Sequence, residues 1–169
     1  MKNKTYLITK NKFLTDDELN RLINSLDDSR NGLIIKTAIL TGARASEILN
    51  ITLNDLSTDS VVIHGLKNSD DREIPLPSDL IQKLKDQASR SKVFDISYQR
   101  LNQIWQKYRP NGKTFHSLRH SYAMRLYNTT KDLLLVQQAL GHRAIQNTTV
   151  YARASDSQNK LRAAINGLY

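Results

Sequence analysis

Residues 33–48 read Leu33-Ile34-Ile35-Lys36-Thr37-Ala38-Ile39-Leu40-Thr41-Gly42-Ala43-Arg44-Ala45-Ser46-Glu47-Ile48. The first eight are almost continuously apolar, which predicts a helix buried on most of its surface rather than one with a single apolar stripe. Thr41-Gly42 ends the run, and glycine just past the last periodic residue is a helix stop, because it enters the left-handed region without strain. Ser46 to Asn50 predicts a short third helix. Taken alone, Arg44 beside that helix start reads as a surface salt-bridge partner for Glu47.

The pattern extends in both directions. Upstream, Met1 to Lys12 is polar and basic with little periodicity, an arm or linker. Thr15 with Glu18 fits a capping box, and Leu19, Leu22, Ile23 and Leu26 recur at helical spacing, so a first helix runs from Asp16 to about Leu26. Downstream, Val61-Val62-Ile63 and Arg72-Glu73-Ile74-Pro75-Leu76 flank the turn-rich Gly65 to Asp71. They predict a small antiparallel hairpin or three-stranded sheet, with Pro75 closing an edge. Helices follow from Asp79 to about Ala88, capped by Ser78, and from Ser97 to Tyr108, ended by Arg109-Pro110-Asn111-Gly112. Further helices run from His116 to about Tyr127, from Asp132 to Leu140 with Gly141 as stop, and from about Asp156 to Ile165. The fold class is α+β, mostly helical with a small antiparallel sheet, in a single domain over residues 1–169.

A chain of 169 residues is long enough to bury roughly two thirds of its unfolded surface in one core. Lys plus Arg is 25 against 16 for Asp plus Glu, a net charge of +9 that favours a polyanionic partner. The charge is concentrated: from Arg100 to Arg153 nine bases face one acid, Asp132, and the rest of the chain carries only +1. Solvated basic helix faces are the plain alternative. Cysteine is absent, which excludes disulfide frameworks, thiol nucleophiles and Cys-based zinc sites. Without a signal-peptide pattern or an apolar run near the ~18–20 residues of a membrane span, a cytoplasmic location with no membrane partner is expected.

Four short segments concentrate polar side chains: Thr41 to Ile48, His116-Ser117-Leu118-Arg119-His120, Leu140-Gly141-His142-Arg143, and Thr148-Thr149-Val150-Tyr151-Ala152-Arg153. His116 and Arg119 lie one helical turn apart. Arg119 offers a planar fork suited to two phosphate oxygens and His116 a donor or base, although a satisfied polar patch at a helix N-terminus fits equally well. His116 and His120 have the i, i+4 spacing of a metal pair, but Ser117 stands where a zinc-protease helix carries its glutamate, and no third ligand is evident. His120 reads better as packed beneath the helix with a hydrogen bond. Tyr151 lies in a short polar stretch. A phenol of pKa about 10 needs cations around its target and a base near its hydroxyl before it becomes a nucleophile.

The four segments, in this order and with 23 residues from Arg119 to His142 and nine from His142 to Tyr151, resemble the catalytic domain of the tyrosine recombinase (phage integrase) family. The resemblance covers roughly Leu14 to the C-terminus. It implies metal-free, ATP-free and cofactor-free DNA strand transfer, with Tyr151 as the nucleophile that leaves a 3′-phosphotyrosyl link and a free 5′-hydroxyl. It further implies that Arg44 and Arg119 hold the non-bridging oxygens with a hydrogen bond from His142. His116 would transfer a proton near the nucleophile, Lys67 on the hairpin turn would protonate the leaving 5′-oxygen, and Glu47 would orient Arg44. A plain solvated turn lysine remains the other reading of position 67.

The implied partner is double-stranded DNA, gripped by a homotetramer in a synaptic complex with accessory DNA-bending proteins and nucleoid association when bound. Residues 154–169 would form a C-terminal helix exchanged between protomers. Most family members carry an N-terminal core-binding domain. Only about a dozen residues precede the first helix here, so the expectation is a separated catalytic domain or a short recombinase resembling the fimbrial-switch invertases. Two related readings are a nicking and closing activity like that of type IB topoisomerases, and a non-catalytic DNA-binding accessory module of the same fold. A metal-dependent nuclease is disfavoured, because the basic half of the chain lacks a carboxylate cluster.

Overall fold

A computed structural model describes residues 12–66 and 68–167, and for 155–162 the backbone alone. The elements run α1 (Asp16–Ser25), α2 (Arg30–Thr41), α3 (Ala45–Leu49), β1 (Ser60–Ile63), β2 (Arg72–Pro75), α4 (Ser78–Gln87), α5 (Tyr98–Tyr108), α6 (His116–Thr130), α7 (Leu133–Leu140) and α8 (Gln146–Asn166). The fold is therefore α+β, helix-rich with one small antiparallel sheet.

Local chemistry explains most of the boundaries. The Thr15 hydroxyl accepts from the Glu18 N–H at 3.2 Å and the Glu18 carboxylate accepts from the Thr15 N–H at 2.8 Å, closing the capping box of α1. Ser97 caps α5 through the Arg100 N–H, and Asp132 caps α7 through the Leu135 N–H. At α4 the cap differs from expectation. Pro77 takes the cap position and its carbonyl accepts from the Ile81 N–H at 3.0 Å, so Ser78 is the first helical residue and makes no side-chain cap.

α2 is the central helix. Leu33, Ile34, Ile35, Ala38 and Ile39 are all buried, because α3, α4 and α6 pack around it. Gly42 follows in the left-handed region at φ +60°, and a Cβ there would stand 2.4 Å from the Tyr122 ring of α6. The helix stop is thus also a point where the backbone after α2 lies close against α6.

The sheet is a two-stranded hairpin with Ser60 opposite Pro75 and Ile63 opposite Arg72. Among the described residues the three-stranded alternative is not formed: Leu56 with Val61 and Thr52 with Lys92 make isolated bridges. Along β2, Arg72 and Ile74 face inward while Glu73 and Pro75 face out.

The C-terminal region departs most from expectation. α8 begins at Gln146, not near Asp156, so Tyr151 sits inside a helix rather than in an irregular polar stretch. β-branched Thr148, Thr149 and Val150 weaken the helical signal. Thr148 and Tyr151, three residues apart, nevertheless bury one face of α8 against α6 and α7. Tyr151 joins Ala123, Met124, Tyr127, Val136 and Leu140 in a second apolar cluster, separate from the main core. The expected arm, residues 1–11, lies outside the described residues.

Candidate active site

Arg44 caps α3, and its position is determined by Glu47. The Glu47 carboxylate accepts from the Arg44 N–H at 2.8 Å and from Arg44 Nη1 at 3.1 Å. Arg44 Nη1 also donates to the Ser69 hydroxyl at the far end of the hairpin turn. The Arg44 side chain keeps 32% of its surface exposed, so it is held in place yet open to a ligand.

Glu47 is fully buried and serves more than one guanidinium. Arg72 Nη2 donates to its Oε2 at 2.7 Å, and Arg119 Nη1 stands 4.0 Å from the same oxygen. Burial alone would raise the Glu47 pKa, but the Arg72 hydrogen bond, the Arg44 N–H and the charges of Arg72 and Arg119 outweigh it and hold the carboxyl below its ordinary value.

Arg119, on the first turns of α6, is 2% exposed. Its Nη1 donates to the Gly42 carbonyl at 2.8 Å and its Nη2 to the Leu140 carbonyl at 2.7 Å. One side chain thereby ties the end of α2 to the end of α7. Burial, with Arg44 and Arg72 nearby, lowers its pKa to about 10, which leaves it charged at neutral pH.

Gly141 ends α7 at φ +66° and turns the chain so that the next residue, His142, faces the turn between the strands, where it forms an isolated bridge with Ser69. The His142 ring is fixed by a 2.9 Å hydrogen bond between Nδ1 and the Thr148 hydroxyl of α8. Burial, and then Arg119, Arg44 and Arg72, push His142 down to about 4, so its imidazole is neutral at pH 7.

Tyr151 points its hydroxyl at Nδ1 of His120, 3.1 Å away. Burial raises the phenol pKa, and the positive charges of Arg119 and Arg44 partly offset that rise. His116 stacks edge-on against His120, with ring centroids 4.6 Å apart and planes at 90°. His120 thus meets both the His116 ring and the Tyr151 hydroxyl. His116 is exposed on its outer side, but partial burial and the charges of Arg119 and Arg44 hold its pKa below the ordinary value.

Lys67 lies outside the described residues. The turn around it is tied down on both sides. His64 bridges Asp55 and Asp71 at 2.9 Å each, and the Asp70 N–H donates to the Gly141 carbonyl at 3.0 Å. Arg44, Glu47 and Arg119 are therefore linked by direct contacts, His142 meets Arg44 through Ser69, and Tyr151 and His116 both meet His120.

Residues 12–158 match the phage integrase family. The chain belongs to that family. It is 28% identical to the tyrosine recombinase XerA of Pyrococcus furiosus, over 85% of this chain and 58% of that protein. The crystal structure of the XerH site-specific recombinase bound to its difH substrate, in a pre-cleavage complex, superimposes with a TM-score of 0.70 at 26% identity, over 91% of this chain and 53% of that one. The catalytic domain of bacteriophage HP1 integrase superimposes with a TM-score of 0.69 at 28% identity, over 91% of this chain and 93% of that one. The chain spans a little over half the length of XerA and XerH, and nearly all of the HP1 catalytic domain. The expectation of a tyrosine recombinase catalytic-domain fold is correct.

In this chain the sequence reading missed three contacts and left a fourth unassigned. Arg72 is 8% exposed and pairs with Glu47, and its signal was an arginine at an inward position of an alternating strand. His120 was given a hydrogen bond but no partner, since its spacing to Tyr151 says nothing about the crossing of α6 and α8. Ser69 and Thr148 carried no signal, because a hydroxyl in a turn or a polar stretch is ordinary. Among the described residues, no helix is long and apolar enough to cross a membrane.

Proposed function

We propose that this chain is a site-specific recombinase that cuts and rejoins double-stranded DNA through a covalent 3′-phosphotyrosyl intermediate, with Tyr151 as the nucleophile. The observation that carries this reading is Arg119, which bridges the Gly42 and Leu140 carbonyls and so draws the ends of α2 and α7 to the turn of α6 that also carries His120, the partner of the Tyr151 hydroxyl. Arg44 and Arg119 place two fixed positive charges where a phosphodiester gains charge in its pentavalent transition state. His142, neutral and oriented by Thr148, donates a hydrogen bond to the same group. Glu47 holds the arginines in register and Lys67 protonates the leaving 5′-oxygen. His116 assists proton transfer beside Tyr151.

The phosphotyrosyl bond keeps the energy of the phosphodiester, so a 5′-hydroxyl reverses the step with neither ATP nor a metal ion. On DNA we assign the active form to a homotetramer, with the end of α8 passed to a neighbouring protomer. Ala164 and Ile165 are exposed there, in keeping with a segment that packs on another subunit.

The test is an adduct assay in EDTA, using supercoiled plasmid that carries the DNA flanking this chain's gene, with Tyr151→Phe alongside. A protein–DNA adduct that survives detergent and is lost in the variant is the expected result. An adduct formed by Tyr151→Phe refutes the nucleophile. DNA binding without any wild-type adduct favours a DNA-binding accessory module instead.

A further inference from the structure

The residue that meets the Tyr151 hydroxyl is His120, not His116. We propose that His120 is the base that takes the phenolic proton of Tyr151 during strand cleavage and returns it during rejoining. The inference rests on the reading of Tyr151 as nucleophile and assigns a residue to the proton step of that same site.

Three features of the geometry support it. The 3.1 Å separation of Nδ1 and Oη is a hydrogen bond, the reach a general base requires. The ring is held from the side by His116, edge-on at 4.6 Å, and lies tilted by 55° to Tyr151 with centroids 5.9 Å apart, so its orientation is preset. The phenol sits at 2% exposure, within an apolar cluster from α6 and α7, where bulk water is a poor proton acceptor.

The groups facing His120 are Tyr151 from α8, His116 and Arg119 from α6, and Lys12 ahead of α1. Burial, then His116, Lys12 and Arg119, lower its pKa to about 4, so at pH 7 the ring is neutral and able to accept. A phosphodiester bound beside Arg44 and Arg119 adds negative charge that offsets those cations as the proton arrives.

The Oη–H bond breaks and its proton passes to Nδ1, while Oη forms a bond to phosphorus. The bond from phosphorus to the 5′-oxygen breaks, and that oxygen takes a proton from the Lys67 ammonium. In rejoining, the 5′-hydroxyl returns its proton to the neutral Lys67 amine as its oxygen bonds to phosphorus, the bond from phosphorus to Oη breaks, and Oη recovers its proton from His120.

The experiment follows adduct formation on the flanking-DNA plasmid from about pH 5.5 to about pH 9, for wild type and His120→Asn. Asparagine keeps an acceptor for the hydroxyl but cannot carry the proton away. The expected loss at pH 7 is about 10²–10⁴-fold with DNA affinity unchanged, recovering about tenfold per pH unit as hydroxide replaces the base. A wild-type rate, a faster rate, or the same fractional loss at every pH overturns the proposal. Should the variant fail to fold, ¹⁵N NMR of the wild-type imidazole decides: Nδ1 unprotonated with Nε2–H supports it, and Nδ1–H overturns it. Absence of a wild-type adduct refutes the nucleophile reading and this inference with it. A wild-type adduct with an unaffected His120→Asn refutes this inference alone.

Discussion

Glu47 on α3 and Arg72 on β2 form a buried ion pair at 2.7 Å, joining the helical body to the hairpin. Arg44 and Arg119 share the same carboxylate. One acid therefore offsets three guanidinium groups, two of them almost fully buried.

Removing that acid leaves the cations opposed only by one another. Glu47→Gln preserves volume but not charge, and is expected to lower stability by about 3–5 kcal/mol, the usual cost of breaking a buried pair from one side. Urea unfolding measures it, and a loss below about 1 kcal/mol would show that the arginines relax into solvent instead.

Gly42 and Gly112 share a positive φ but differ in surroundings. At Gly42 a Cβ meets the Tyr122 ring at 2.4 Å, whereas at Gly112 nothing lies within 4 Å. Gly112→Ala should cost about 1 kcal/mol from backbone strain alone. Gly42→Ala should cost at least about 2 kcal/mol and also disturb the carbonyl that accepts from Arg119. Equal melting temperatures for the two variants would contradict this.

Arg119→Lys removes the planar fork that spans the Gly42 and Leu140 carbonyls. An ammonium carries the charge but not both hydrogen bonds and a phosphate contact in fixed geometry. Adduct formation should fall by about 10²–10³-fold, the scale of a lost transition-state donor. Retained activity in single-turnover assays would remove Arg119 from the transition state.

His120 and His142 are both depressed to about 4 from an ordinary 6.5. Between those values the unfolded chain binds more protons, so their contribution to stability is present above about pH 6.5 and is lost as pH falls towards 4. His64 works in the opposite sense, because its hydrogen bonds to Asp71 and Asp55 raise its pKa. Its contribution is complete below about pH 6.5 and fades as pH rises through the folded value. Melting curves from pH 8 down to pH 5 should show His142→Gln losing less stability than wild type, and His64→Gln losing more.

The helix order, the hairpin, the glycine stops at Gly42 and Gly141, and the four segments that hold Arg44, Arg119, His142 and Tyr151 are all legible in the order of residues. Such features depend on local periodicity, capping and backbone freedom, which act over a few residues. The long α8, the burial of Tyr151, the Arg72–Glu47 pair and the His120–Tyr151 contact were decided only by tertiary structure. Each depends on how elements cross in space: β-branched Thr148 to Val150 become helical because Thr148 and Tyr151 gain a buried face against α6 and α7. An arginine becomes a buried partner because strand β2 turns it towards α3, and a histidine meets a phenol 31 residues away because two helices pack together.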